Sequence, residues 1–397
     1  MNYPKELPER FSLKARQVFT PEGVLDNAFV HIDQGEITSV NESLIEGYSL
    51  FDIGERKLMP GLIDLHIHGY AGVDIMDATP ESICEMAQEL AKNGVTGFLG
   101  TTVTARWDHI LSALRNIRQC IYNDMDTRGA ELLGSYLEGP FFTPKHKGAH
   151  PERLFVAPTE DRLTELLTVS GGTLKVVALA PEVNKAVDAT QQLVDNGVQV
   201  AMGHSDANYD QAVACIDAGA RIAVHLFNGM SGLHHREPGC VGAFLSHDKV
   251  TSELIADGVH LHPAILNLSW KCKGSDQAVL ITDCMCAGGL SDGEYQLGEL
   301  PVIVKEGVAR TESGSLAGST LTLNSAVRNM VRVAKIPEID AIRMATEIPA
   351  KLIGSDQTIG VIAPGRKANL VVMDDDYNVE LTLVKGQPVY IKKSELN

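Results

Sequence analysis

The chain contains no uninterrupted apolar run of the roughly 18 residues that a bilayer-spanning helix needs. Its first ten residues, Met1-Asn-Tyr-Pro-Lys-Glu-Leu-Pro-Glu-Arg10, lack the apolar core of a secretory signal. Basic side chains are scarce beside acidic ones, 34 Lys and Arg against 51 Asp and Glu. The formal net charge of −17 argues against nucleic acid or an anionic membrane as a partner. It does not exclude an anionic small molecule, because salt screens the global field beyond roughly 8 Å and local Arg and His then decide what binds. Seven cysteines form no even framework and no Cys-x-x-Cys pair. Cys284 and Cys286 stand closest, as expected of thiols in a reducing cytoplasm, so a cytoplasmic location is the expectation. Internal repeats and low-complexity segments are missing too.

What is present is 397 residues with 44% apolar content, enough for one large domain and a smaller one. The most informative stretch is Met59-Pro-Gly-Leu-Ile-Asp-Leu-His-Ile-His-Gly69. Leu62, Ile63, Leu65 and Ile67 make it an apolar run, entered through Pro60-Gly61 and ended by Gly69, which predicts a buried strand. Residues two apart on a strand share a face, so His66 and His68 stand side by side with Asp64 below them. A lone His is more often a satisfied core residue. Two imidazoles at the end of a buried strand are costly unless something binds them, which points to metal ligation.

Residues 11–57 predict short strands with turns, including a hairpin across Gln34-Gly35 whose His31 is not a ligand. From Leu58 the rhythm changes. Further strand-like runs lie at 94–100, 132–138, 174–180, 198–204, 221–225, 251–257 and 278–283. Helical stretches separate them, among them 82–92, 163–169, 187–196 and 210–218. Eight strands alternating with helices predict an α/β fold, a (β/α)₈ TIM barrel. The alternative, a doubly wound sheet, lacks its Gly-x-Gly-x-x-Gly turn after the first strand. A hairpin inserted over 295–311, helices over about 321–354 and returning strands at 368–373 and 381–384 complete the pattern. The expected division is a small β-sandwich domain from 1–57 and 358–397, with the barrel over 58–357.

The chemistry lies where the predicted strands end. His66, His68, Glu138, His204, His225, Asp257 and Asp283 all fall at or just past a strand's C-terminus, the face that carries active sites in this fold. Nitrogen and carboxylate ligands without Cys suit Zn, Fe, Mn or Co.

These residues carry a resemblance that spans nearly the whole chain. Leu58-Met-Pro-Gly-Leu-Ile-Asp-Leu-His-Ile-His68 is similar to the opening strand of the amidohydrolase superfamily, and Gly365-Arg-Lys-Ala-Asn-Leu-Val-Val372 to its closing β-domain strand. Within that superfamily the chain resembles the N-acetylglucosamine-6-phosphate deacetylase family. The specific segments are Leu137-Glu-Gly-Pro-Phe-Phe142, Gly148-Ala-His150, Met202-Gly-His-Ser205, His225-Leu-Phe-Asn-Gly-Met230, Arg236-Glu-Pro-Gly239, Asp257-Gly-Val-His260, Thr282-Asp283 and Leu316-Ala-Gly-Ser319.

The resemblance implies hydrolysis of the acetamide of N-acetylglucosamine 6-phosphate to glucosamine 6-phosphate and acetate, in amino-sugar catabolism. It implies that Glu138, His204 and His225 hold a principal divalent ion and that His66 and His68 form a second site, with Glu138 bridging. Asp283 takes the proton-transfer role and His150 contacts the acetyl carbonyl. Asn228, Gly229, Arg236 and His260 match positions that take the sugar phosphate. Ala149, Asp257, Leu316, Ala317 and Gly318 line the sugar. The family pattern further implies a homodimer in which Arg236 reaches the partner's site. The residue types suit amide hydrolysis on their own terms: a metal activates water near neutral pH, and the leaving amine must be protonated. The plainer readings are a helix N-cap for Asp283 and a solvated charge for Arg236. His234 and His235, adjacent in a loop, take a supporting role, His109 and His247 are bystanders, and His262 matches no motif. The Gly/Ser-rich stretch 314–319 lacks the Gly-Lys-Ser/Thr of a nucleotide loop and is read as lining the sugar.

Other readings compete. N-acetylgalactosamine 6-phosphate differs from the gluco sugar in one hydroxyl's orientation, which loop geometry must read. A cyclic amidase usually carries a carboxylated Lys where this chain has Glu138, and a nucleobase deaminase does not explain Arg236 and His260. A non-catalytic scaffold has no need of an intact rim of ligands.

Overall fold

A computed structural model of the protein describes residues 4–393. Residues 1–3 and 394–397, which the sequence assigns to the small β domain, lie outside the described residues. Eight apolar runs form parallel strands: β1 (Leu62–Ile67), β2 (Val95–Thr102), β3 (Glu131–Phe141), β4 (Leu174–Leu179), β5 (Gln199–Met202), β6 (Ile222–Ala223), β7 (Thr251–Ile255) and β8 (Ala278–Ile281). They pair in sequence order from β1 to β8. Their near-continuous apolar character follows from burial on both faces, by helices outside and by packed side chains within.

The intervening helices form for local reasons. Pro80–Ala91 starts with Thr79 capping the Ser82 N–H and Pro80 at its first turn, where a missing N–H costs nothing. Tyr209–Asp217 starts with a reciprocal Asn208–Gln211 capping box. Trp107–Tyr122 buries Ile110, Leu114 and Ile117, one stripe at helical spacing. The expected (β/α)₈ barrel is borne out. Two departures from expectation bear on the site. β6 is only two residues long, because the backbone turns left-handed at His225 (φ 27°) soon after it. The insertion after β8 is a three-stranded antiparallel sheet, Gly293–Leu297, Leu300–Lys305 and Val308–Thr311, where a hairpin was expected.

The seam between β8 and β1 is closed by the chain just beyond β8. Asp283 N–H donates to His66 O at 2.9 Å, and His68 N–H donates to Cys284 O at 2.9 Å. Beneath them Asp64, fully buried, accepts from the Thr282 hydroxyl at 2.6 Å and from the Thr282 and His66 N–H groups at 3.3 Å each. Burial pushes the Asp64 carboxyl up to about 6 against these donors. The seam therefore holds both His66 and Asp283 by main-chain bonds.

Both chain ends build a second eight-stranded sheet. Strand Arg10–Thr20 pairs with Gly23–Asp33 along one edge and with Ser49–Asp52 and Lys57–Pro60 along the other, so the sheet forks there. Lys57–Pro60 then pairs with Leu370–Met373 from the far end of the chain. Alternation divides these strands between two cores. Leu58, Leu370 and Val372 pack with Phe11, Val30 and Leu381, whereas Met59, Val371 and Met373 pack against the barrel. The chain passes from this sheet into β1 at Gly61, where a Cβ would come within 2.1 Å of the Thr96 hydroxyl.

Removing the Thr282 hydroxyl strips a charge-assisted bond from a buried carboxylate. Thr282→Val is expected to cost about 1.5–3 kcal/mol, read as a lower denaturation midpoint of the metal-free protein; an unchanged midpoint rules out this account of the seam.

Candidate active site

The C-terminal ends of the strands deliver the chemistry. Glu138 lies within β3, His204 two residues after β5, His225 two after β6, Asp283 two after β8, with His66 in β1 and His68 just past it. His204 (φ 46°), His225 (φ 27°) and Asp283 (φ 50°) all have left-handed backbone, which typically costs a non-glycine residue about 1–2 kcal/mol. The surrounding bonds hold them there, and strain of this kind concentrates at functional sites.

Glu138 is the hub. Its Oε1 lies 3.1 Å from His225 Nε2, 3.3 Å from His204 Nε2 and 3.5 Å from His66 Nε2. Its Oε2 lies 3.3 Å from both His68 Nε2 and His150 Nε2. Asp283 Oδ1 sits 3.2 Å from His68 Nε2 and 3.6 Å from His66 Nε2. Two groups of three buried side chains are thus spaced to hold cations: Glu138 with His204 and His225, and His66 with His68 and Asp283.

The donor chemistry fits a cation. His204 Nδ1 is 3.0 Å from His146 O and His225 Nδ1 is 3.2 Å from Asn228 O. A carbonyl only accepts, so both rings carry N–H at Nδ1 and, when neutral, a lone pair at Nε2. Those two lone pairs meet at 3.1 Å beside a carboxylate oxygen, an arrangement that repels unless positive charge lies among them. His66 Nε2 is buried without a hydrogen-bond partner. Without an ion, the cluster supplies the charge by proton uptake. Burial lowers the basicity of His66 and His68, but Glu253 and Glu138 outweigh it for His66, and Asp283 and Glu138 bring His68 up to about 9. Burial raises the Asp283 carboxyl, yet the His68 bond and the charges of His66 and His68 hold it at about 2. Burial and the charge of His150 push His204 down to about 4.

Above the hub opens a cavity of about 240 Å³. Its walls bring together His68, Glu138, Ala149, His150, His204, His225, Asn228, Gly229, His260, Asp283, Leu316 and Gly318 from the sequence-derived set. His66 lies beneath, fully buried. Ala317 packs behind the wall with Val103, Ala149 and Met285. Asp257 borders an adjoining cavity with His260 and accepts from its Nδ1 at 2.6 Å. Arg236 is exposed in a different groove, bonded to His235 Nε2 at 2.7 Å, with Lys145, His146 and His234 nearby.

Other histidines fall as the sequence suggested. His31 is buried on Ser12 Oγ, His109 bonds Arg106, and His262 caps helix Pro263–Lys273. Three contributors were missed. Thr104 Oγ1 meets His150 Nδ1 at 2.8 Å, Leu297 of the inserted sheet lines the cavity, and Glu253 contacts His66. Glu253, an acid inside an otherwise uncharged strand, carried a readable signal; the other two did not.

Fold and cluster together define a (β/α)₈ protein with candidate metal ligands gathered at its strand ends. The chain belongs to the amidohydrolase family, whose model matches residues 58–389. It is 44% identical over 375 residues to the N-acetylgalactosamine-6-phosphate deacetylase of Escherichia coli O157:H7, covering 94% of this chain and 98% of that one. It is likewise 44% identical over 380 residues to the N-acetylglucosamine-6-phosphate deacetylase of Vibrio furnissii, covering 95% and 94%. A mutant N-acetyl-D-glucosamine-6-phosphate deacetylase from Mycobacterium smegmatis, solved in complex with N-acetyl-D-glucosamine-6-phosphate, superposes with a TM-score of 0.92 at 32% identity, over 97% of this chain and 100% of that one.

Ion binding by this cluster should appear as stability. Zinc at about a thousandfold over its Kd is expected to add about 4 kcal/mol, seen as a higher Tm that chelation reverses, and His204→Ala should abolish that rise. A wild-type Tm indifferent to zinc and to chelator contradicts the reading.

Proposed function

We propose that this protein hydrolyses the acetamide of N-acetylglucosamine 6-phosphate to glucosamine 6-phosphate and acetate. The observation that carries the proposal is one cavity in which Asp283 and His150 flank the Glu138 hub while His260 and Gly229 line the same walls. Relatives across nearly the full chain act on this sugar phosphate or its galacto epimer, which supports the substrate class. The test is acetate release from N-acetylglucosamine 6-phosphate, with the unphosphorylated sugar and a cyclic amide as controls. The kcat/KM ratio for the two epimers decides between them, and a clear galacto preference replaces the substrate named here.

Glu138, His204 and His225 would hold a principal divalent ion, and His66, His68 and Asp283 a second, with Glu138 lying between the two groups. Such ions supply a water-derived nucleophile at neutral pH and polarise the acetyl carbonyl. The protein's own groups do the rest. His150 donates from Nε2 to the carbonyl oxygen, its ring held by the Nδ1 contact to the Thr104 hydroxyl. Asp283, low enough to be ionised, accepts the attacking water's proton and passes it to the amine nitrogen, because an amide anion does not depart.

Phosphate recognition falls to further groups lining this cavity and to a neighbouring subunit. No described protein acceptor engages the Gly229 N–H, and Gly229 is required at this place: its φ is 60°, and a Cβ would press to 3.0 Å on His204 Nδ1. Asn228 donates its side-chain amide to His225 O and Leu226 O, so it shapes the turn that presents Gly229. Asp257 fixes His260 through Nδ1 and leaves Nε2 for the ligand. Arg236, outside its own chain's cavity, reaches the phosphate of a partner in a homodimer. Leu316, Gly318 and Ala149 line the sugar, with Ala317 supporting the loop from behind.

Asp283→Asn keeps the shape but can neither accept nor deliver the proton. With ions retained, kcat should fall by 10²–10⁴-fold or more; retention of more than about a tenth of wild-type kcat removes Asp283 from proton transfer. Arg236→Ala should chiefly raise KM for the phosphorylated sugar, each charge-assisted donor being worth about 1.5–3 kcal/mol. Mixing Arg236→Ala with Asp283→Asn subunits should restore activity, and verified mixed dimers that stay inactive place the whole site within one chain.

A further inference from the structure

Glu253 is a buried acid that neither the reaction nor the ligand set uses. It sits in β7 with 1% of its surface exposed, and such a group is unfavourable there unless something it holds compensates. Its Oε2 lies 3.0 Å from His66 Nδ1 and 3.1 Å from the backbone N of His225. Its own carbonyl accepts from Leu226 N–H at 2.9 Å, tying the turn after β6 to β7. One carboxylate oxygen thus touches one residue from each candidate ion site. The bond to His66 has a chemical consequence. With Nδ1–H committed to a carboxylate, the lone pair of His66 is at Nε2, the atom that faces Glu138 and Asp283. The ring of Tyr136, 4.7 Å from that of His66 between centroids, packs beside it. His68, by contrast, has a buried Nδ1 without a hydrogen-bond partner, so within the His66–His68 pair the carboxylate orients His66 alone.

We infer that Glu253 is a positioning residue for the second ion: it fixes the tautomer and the direction of His66, and so sets the affinity of the site formed by His66, His68 and Asp283. The inference rests on the two-ion reading above. The principal site is less sensitive, because the His225 ring is oriented separately by Nδ1 on Asn228 O. Outer carboxylates that hold a metal-binding imidazole typically contribute 10–100-fold to metal affinity.

The test is zinc uptake by the full chain, followed by competition with a chromophoric chelator and by elemental analysis. It compares wild type with Glu253→Ala, with Glu253→Met, which fills the space without an acceptor should the alanine variant not fold, and with Glu253→Gln. The expected result is two ions in wild type, a tight ion retained in every variant, and a second ion bound about 10–100-fold more weakly in Glu253→Ala or Glu253→Met. Glu253→Gln, whose amide oxygen accepts from the same two N–H groups, should lose less than either. Parallel weakening of both ions would mark Glu253 as general support of the fold and overturn the inference, as would an unchanged second affinity in the variants without an acceptor. A wild-type chain that saturates at one ion overturns the two-ion reading by itself, before any variant is compared, so the two failures are distinct.

Discussion

The site depends on one buried negative charge. Glu138 has five imidazoles around its two oxygens and links the groups from β1, β3, β5 and β6. An isolated carboxylate at this depth is unfavourable, so the strands around it must end in partners that supply positive charge or hold something that does. The left-handed turns at His204, His225 and Asp283 follow from this demand. They swing side chains off strand ends toward a common point, and main-chain bonds such as Asp283 N–H to His66 O keep them there.

Around that centre the neighbouring loops divide the labour. His146 and Asn228 set the ring tautomers with backbone carbonyls, Thr104 sets His150, and Asp257 sets His260. Glu182 ties the loops after β3, β4 and β5 together by accepting from the Thr143 and Ser205 hydroxyls and the Asp206 N–H. A cavity built this way is pre-organised before ligand arrives. The relatives at 44% identity carry both epimer names.

Much of this was legible in the sequence, for a physical reason. A strand's apolar run and the polar residue that terminates it lie next to each other in the chain, so β1 to β5 and the candidate ligands on β1, β3 and β5 could be read directly. β6 was legible only as a polar residue after apolar ones, because two ladder residues leave little pattern. The contacts of Glu253 and Thr104 were not legible, since each acts on a residue distant in the chain and only the closed barrel brings them together. The seam was hidden likewise: Asp64 looks like a neighbour of the His pair, yet its partner Thr282 is 218 positions away. Arg236 was read from the sequence with the site, yet it lies in a groove apart from the cavity.

The two-sided strands Lys57–Pro60 and Leu370–Met373 bear on the order of events as the chain is made. Synthesis delivers His66 and His68 early, on a strand that hangs from Lys57–Pro60. That anchor has Arg10–Thr20 on one side but lacks its second neighbour until the chain has been extended through residue 373. Met59 on the barrel side and Leu58 on the other are then covered at a single late step, together with Val371 and Val372. Pairing over so long a loop is slow, and hydrophobic edges wait exposed meanwhile. The first strand of the barrel thus emerges before the other seven and is among the last to be secured, and the centre it serves matures only after Met373 has been made.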